Sequence, residues 1–252
     1  MQNYSPSIKH ILFICSAIVL QSFSGCNTTN PEPPSEVKEP ITVTFNNFYK
    51  QEPFVYHKVY KSPQGNPIWF TQKKYYLSNI VAVRDNGVRE LIADIAILDQ
   101  SLGTKGLTIS GNITKGNYEA ISFDLGVRED LNLKDPATYD VKHPLSVTQN
   151  MYWGWSTQYI FSKIEGFEVA STDTISFVIH TGTQDLYRPE IRVNRNFSIE
   201  TGGKEIEVKL DIFNILAQPK YTFNLTKNGQ SHTVDNLELA VQYMDNFSKG
   251  FN

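Results

Sequence analysis

The sequence predicts an all-β protein, an antiparallel β-sandwich with a short C-terminal helix. Three observations carry that expectation. Hydrophobic residues recur with a two-residue period along most of the chain, tight-turn signals separate the alternating runs, and no helical pattern is interleaved between them. A length of 252 residues with 40% apolar and 19% charged side chains suits one large sandwich with a sizeable core.

Taken in order, the chain opens with a targeting segment. Lys9 and His10 precede an apolar stretch at residues 11–20, too short and too close to the start to span a bilayer stably, which ends in Phe23-Ser24-Gly25-Cys26. Small residues just before a cysteine are those of a bacterial lipoprotein signal. Residues 1–25 are then a signal peptide, and Cys26 is lipidated and becomes the first residue. A plain signal peptide cut nearby, or an N-terminal membrane anchor, is the alternative. Residues 26–40 carry four prolines and hardly an apolar side chain, so they read as a lipidated, disordered tether. A triacylated Cys26 exceeds the two-chain requirement for stable anchoring. The expected address is the envelope of a Gram-negative bacterium, as an outer-membrane lipoprotein.

The folded domain is expected at residues 41–252. Alternation marks strands at Ile41, Val43 and Phe45, at Leu91 to Ile97, at Leu107 and Ile109, and at Ile121, Phe123 and Leu125. It resumes at Ile175, Phe177 and Ile179, at Ile191 and Val193, at Phe197 and Ile199, and at Ile206 to Ile212. An aromatic-rich stretch at 54–60 reads as a further strand. Asp85-Asn86-Gly87, Lys115-Gly116-Asn117, Thr201-Gly202-Gly203 and Asn228-Gly229 supply the turns. Residues 130–148, with Pro136 and Pro144 and no clean period, form a long excursion of the kind that often carries function. Asp235-Asn236-Leu237-Glu238 resembles a capping box, and Leu237, Ala240, Val241 and Met244 then follow at helical spacing, predicting a helix packed on the sandwich.

Composition narrows the function classes. The formal charge of -3 becomes -4 once Lys9 leaves with the signal, and an acidic balance attracts no nucleic acid. Cleavage also removes Cys15, so with Cys26 acylated the mature chain has no thiol and no disulfide. No Gly-x-Ser-x-Gly elbow and no glycine-rich phosphate cradle exist, and the acidic residues Glu129, Asp130, Asp135 and Asp140 are too generic to mark a glycosidase. The expectation is a protein that is not an enzyme.

The densest chemical signal is MYWGWSTQYIFSKIEG at residues 151–166. Aromatic bulk of this kind either plugs a core or lines a site. Of the four histidines that survive maturation, His57, His143, His180 and His232, no two have metal-ligand spacing. His180 is the strongest candidate because it ends a strand beside Thr181-Gly182, although a hydrogen-bonded strand-end histidine reads the same way. His57, His143 and His232 read as solvent-exposed filler.

Five blocks carry a resemblance when taken together: ITVTFNNF (41–48), KYYLSNIV (74–81), GNYEAISFDLGV (116–127), the 151–166 run and FVIHTG (177–182), with the tail from Met244 to Asn252. In order and over almost the whole mature domain, they resemble the MbnP-like copper-binding family. The resemblance implies a periplasmic or surface-attached β-sandwich that binds copper. In one member type, a tryptophan is oxidised to kynurenine by a di-haem partner enzyme. His180 is then the metal ligand, with Trp153 or Trp155 as the aromatic or modified residue beside it. Relatives often carry histidine where this chain has Asn47 in the first strand, and a terminal His-x-His-Asn where it has Lys249, Gly250, Phe251 and Asn252. Met151 and Met244 are weak supplementary donors. Two competing readings are a carbohydrate-binding module, with Tyr152, Trp153, Trp155 and Tyr187 as a stacking platform, and a metal-free structural relative.

Overall fold

The computed structural model describes residues 36–99, 106–154 and 157–252. The signal peptide, Cys26, most of the tether and Trp155 lie outside the described residues. In chain order the strands are β1 (Lys38–Tyr49), β2 (Glu52–Pro53), β3 (Tyr60–Lys61), β4 (Pro67–Arg84), β5 (Arg89–Asp99), β6 (Leu107–Thr114) and β7 (Gly116–Leu125). There follow β8 (Tyr152–Trp153), β9 (Gln158–Ala170), β10 (Asp173–Gly182), β11 (Arg188–Ile199), β12 (Lys204–Asp211) and β13 (Gln230–His232). Among the described residues the α-helices are α1 (Glu129–Asn132), α2 (Ile212–Leu216) and α3 (Leu237–Ser248).

The strands form two principal sheets, as the alternation predicts. In the smaller, β1 lies between β12 and β6, with β2 added at its end. The larger runs β11–β7–β4–β9–β10–β13, with β5 and β3 on the other edge of β4 and β8 paired to β9. Phe45 of β1 meets Phe123 of β7 edge-on at 5.4 Å between ring centres, joining the two inner faces. Pairing is mostly antiparallel, but β1 with β12 and β10 with β13 run parallel.

Several expectations shift on the structure. β1 begins at Lys38, three residues before Ile41. Residues 54–59 are loop rather than strand: His57 sits at φ 61 and donates its backbone N–H to Phe70, which turns the chain instead of extending it. Ile212 opens α2, because the Asp211 side chain accepts from the Phe213 N–H and caps a helix where alternation alone would continue the strand. At α3 the N-cap is Asn236, whose side-chain Oδ1 accepts from Leu239 N–H at 3.3 Å; Asp235 is spent elsewhere. The buried stripe is accordingly Leu239, Ala240, Tyr243, Met244 and Phe247, while Leu237 faces solvent.

One irregularity shapes the larger sheet. In β4 the register against β9 slips between Phe70 and Gln72, so Thr71 is an extra residue that reverses the inside–outside phase. Lys73 is thereby turned into the core with only 1% of its surface exposed, and Lys74 to the outer face. The same outer face carries a transverse row, each member opposite the next: Asp99 of β5, Lys74 of β4, Lys163 of β9, His180 of β10 and His232 of β13.

Candidate metal centre

The row ends in a pair of histidines. Parallel pairing of β10 with β13 sets His180 opposite His232, and their ring centres lie 5.3 Å apart with planes nearly perpendicular. Two strands distant in sequence thus bring together residues that no local spacing links.

Trp153 completes the cluster. Its ring centre is 5.7 Å from that of His180 and 6.1 Å from that of His232. The approach to Trp153 is fixed by the long excursion, whose last carbonyls are held by the lysines of the row. Lys74 Nζ donates to Gln149 O and Lys163 Nζ donates to Asn150 O, both at 2.8 Å. Asn150 takes the left-handed conformation at φ 53, which reverses the chain into β8. Burial lowers the pKa of Lys163, against the pull of Glu165.

Each imidazole is tied to a carboxylate through one nitrogen. His180 Nε2 lies 2.7 Å from Glu165 Oε1, and His232 Nδ1 lies 3.1 Å from Asp235 Oδ2. Asp235 also accepts the His232 backbone N–H at 2.6 Å, which is why it does not cap α3. An ionised carboxylate only accepts, so the nitrogen facing it carries the hydrogen. Burial lowers the His180 pKa, the Glu165 hydrogen bond opposes this, and the nearby Lys163 charge pushes the same way as burial. Its imidazole is therefore neutral at pH 7, with the lone pair on Nδ1. That Nδ1 is buried and has no hydrogen-bond partner. Burial works to raise the Asp235 pKa, but the His232 hydrogen bonds hold it below the usual aspartate value.

The other sequence candidates are distributed differently. The 151–166 run divides between core and site: Met151, Tyr159, Ile160, Phe161 and Ile164 are buried, and Trp153 is half-buried against the histidines. Trp155 lies outside the described residues. Met244 Sδ accepts the Thr181 hydroxyl at 3.2 Å in the core, beneath the sheet from His180. His143 stacks on Tyr139 at 4.1 Å and its Nδ1 accepts the Leu145 N–H, a structural role within the excursion. The rings proposed as a sugar platform have separate partners. Tyr152 packs edge-on to Tyr159, Tyr187 donates to Asp124, and Trp153 faces the imidazoles.

Asn47 and Phe251, where the resemblance leads one to look for histidines, do come together. Both oppose Leu210 of β12, one from β1 and the other from the tail. That place is filled by rings, Phe251 packing on Phe123, Phe247 and Tyr75. Lys249 is exposed beyond the end of α3.

Sequence reasoning missed His232, Glu165 and Asp235 as site residues. The one visible trace was local, a histidine and an aspartate three residues apart at 232 and 235; the partnership with His180 arises from a parallel strand pairing that only the fold reveals. Among the described residues no group of three or more His, Cys, Asp or Glu side chains could hold a metal ion, so the cluster offers two imidazoles and an indole face. A cleft of about 740 Å³ is lined by Tyr49, Lys50, Lys58, Tyr60 and Lys61 and contains none of these residues. Its phenols are bonded to main chain and Lys58 is paired with Glu52.

Comparison with known proteins adds a family. The family model MbnP matches residues 38–235. A solved structure described as MbnP from Methylosinus trichosporium is similar over 71% of this chain and 78% of that one, at 16% identity and a TM-score of 0.49. No curated protein matches the chain.

Proposed function

The chain belongs to the MbnP family, and on that premise we propose that it is a cell-envelope lipoprotein that binds or handles copper without catalysis. The observation that carries the reading is the buried, unpartnered Nδ1 of a neutral His180 with the Trp153 ring beside it. A buried acceptor left without a hydrogen bond costs about 1–3 kcal/mol, so its presence calls for a reason. A metal ion is one. Imidazole nitrogen suits copper, and an aromatic face attracts a cation that has shed its water. His180 is the principal ligand and Trp153 its neighbour; an oxidised tryptophan would be seen in the intact mass as the exchange of one carbon for one oxygen.

The test uses the full chain purified in detergent and titrated with Cu(I) and with Cu(II). Wild type is expected to retain about one ion per chain, and His180→Gln to weaken that binding at least tenfold, since losing a ligand costs no less than the roughly 10–100-fold lost with a ligand's hydrogen-bond partner. No retained copper in either oxidation state contradicts the proposal, as does equal retention by the variant.

A further inference from the structure

The two carboxylates do more than neutralise their histidines, because of which nitrogens they occupy. Glu165 takes the N–H of His180 Nε2 and Asp235 that of His232 Nδ1. The nitrogens left free by these contacts are His180 Nδ1, which is buried without a hydrogen-bond partner, and His232 Nε2, on the half-exposed ring. Metal-bound histidines characteristically donate their second nitrogen to a carboxylate, which fixes the tautomer and strengthens the donor. Here two adjacent rings share that arrangement.

The spacing fits as well. An imidazole coordinated at about 2.0–2.1 Å keeps its ring centre roughly 3 Å from the ion, so two rings on one tetrahedral ion lie about 5 Å apart. The observed separation is 5.3 Å. We infer that His180 and His232 form a two-imidazole chelate, coordinating through Nδ1 and Nε2 respectively, in which Glu165 and Asp235 are positioning residues and Trp153 covers one side. The ligand class is a first-row cation that prefers nitrogen, copper or zinc. Glu165 and Asp235 hydrogen-bond the far nitrogens, so the protein supplies two donors and the remaining positions go to water or to a donor brought by whatever delivers or receives the ion. His232, about half exposed, stands on the solvent side of that entry, and His180, 11% exposed, on the protein side. The identity of the ion rests on the copper reading above; the chelate itself does not.

X-ray absorption at the metal edge tests this, because the outer-shell scattering of coordinated imidazole counts the rings on the ion whatever its oxidation state. The full chain in detergent, loaded separately with Cu(I), Cu(II) and Zn(II), is compared with His232→Gln, Glu165→Gln and Asp235→Asn. His232 is a surface residue, so its variant folds, and circular dichroism verifies this. The expected result is two imidazoles in wild type and one in His232→Gln with at least tenfold weaker binding. Glu165→Gln and Asp235→Asn should keep two imidazoles and lose roughly tenfold in affinity. Copper held by wild type with unchanged affinity in His232→Gln overturns the chelate and leaves the copper reading standing. Zinc held by two imidazoles in a chain that takes no copper supports the chelate and ends the copper reading. A chain that retains neither metal overturns both.

Discussion

At the scale of single residues, the most unusual side chain outside the site is Lys73. Its amino group is buried with no hydrogen-bond partner and lies 4.1 Å from the centre of the Tyr75 ring, with Phe247 at 5.8 Å. Burial drives its pKa well below the ordinary lysine value, with Asp99 pulling weakly the other way. The unfolded chain therefore binds a proton that the native chain does not, across the interval between the lowered pKa and the free value near 10.4. Stability attributable to this residue rises with pH through that interval and falls as pH drops. Lys73→Met should abolish the slope and stabilise the protein by ~1–3 kcal/mol at neutral pH, read from urea midpoints of both chains between pH 6 and 9. A variant less stable than wild type at pH 7 would mean that the ammonium has a compensating partner. Neither Lys73 nor the His180–His232 pair was legible in the sequence. No local pattern marks Lys73 as buried, because the bulge at Thr71 sets the phase, and His232 reads as a polar turn until β13 pairs in parallel with β10.

At the scale of elements, a tight constraint sits where β9 threads between β4 and β10. A Cβ on Gly166 would lie 2.2 Å from the Trp69 carbonyl oxygen and 2.6 Å from the Phe177 ring, and the backbone oxygen has no room to yield. Gly166→Ala should cost about 3 kcal/mol and lower the thermal midpoint by several degrees, as overpacking does in a sheet interior. An unchanged midpoint in calorimetry would place the strands further apart than described. The strand positions themselves were largely legible, since alternation from Ile41, Ile121, Ile175 and Ile206 foretold β1, β7, β10 and β12. Where it failed, the causes were local: a left-handed turn at His57, a capping aspartate at 211, and the diversion of Asp235 from α3 to His232. The 18 residues of β4 escaped notice because that strand is buried along most of its length and so lacks a polar face to alternate with.

At the scale of the whole molecule, the two-sheet sandwich gives the site its rigidity: five strands contribute successive members of one row, and the two lysines in the middle hold the loop that brings Trp153 over the histidines. The proposed lipidation of Cys26 would place such a site at the envelope surface, so it belongs to the functional proposal and is tested with it. Cys26→Ala should move the protein from the membrane to the soluble fraction and abolish incorporation of labelled fatty acid; a variant that stays membrane-bound and labelled would refute the anchor. The fold class was readable because it depends on a pattern repeated along the whole chain. The site was readable only in part, through His180 and Trp153, because the rest is assembled by long-range pairing that leaves no mark on spacing.

The most direct measurement is the metal content of the chain isolated from its native envelope without added metal, for wild type and for the His180→Gln, His232→Gln double variant. The account predicts about one copper per wild-type chain and almost none in the double variant. Copper absent from wild type, or present equally in both, would contradict it.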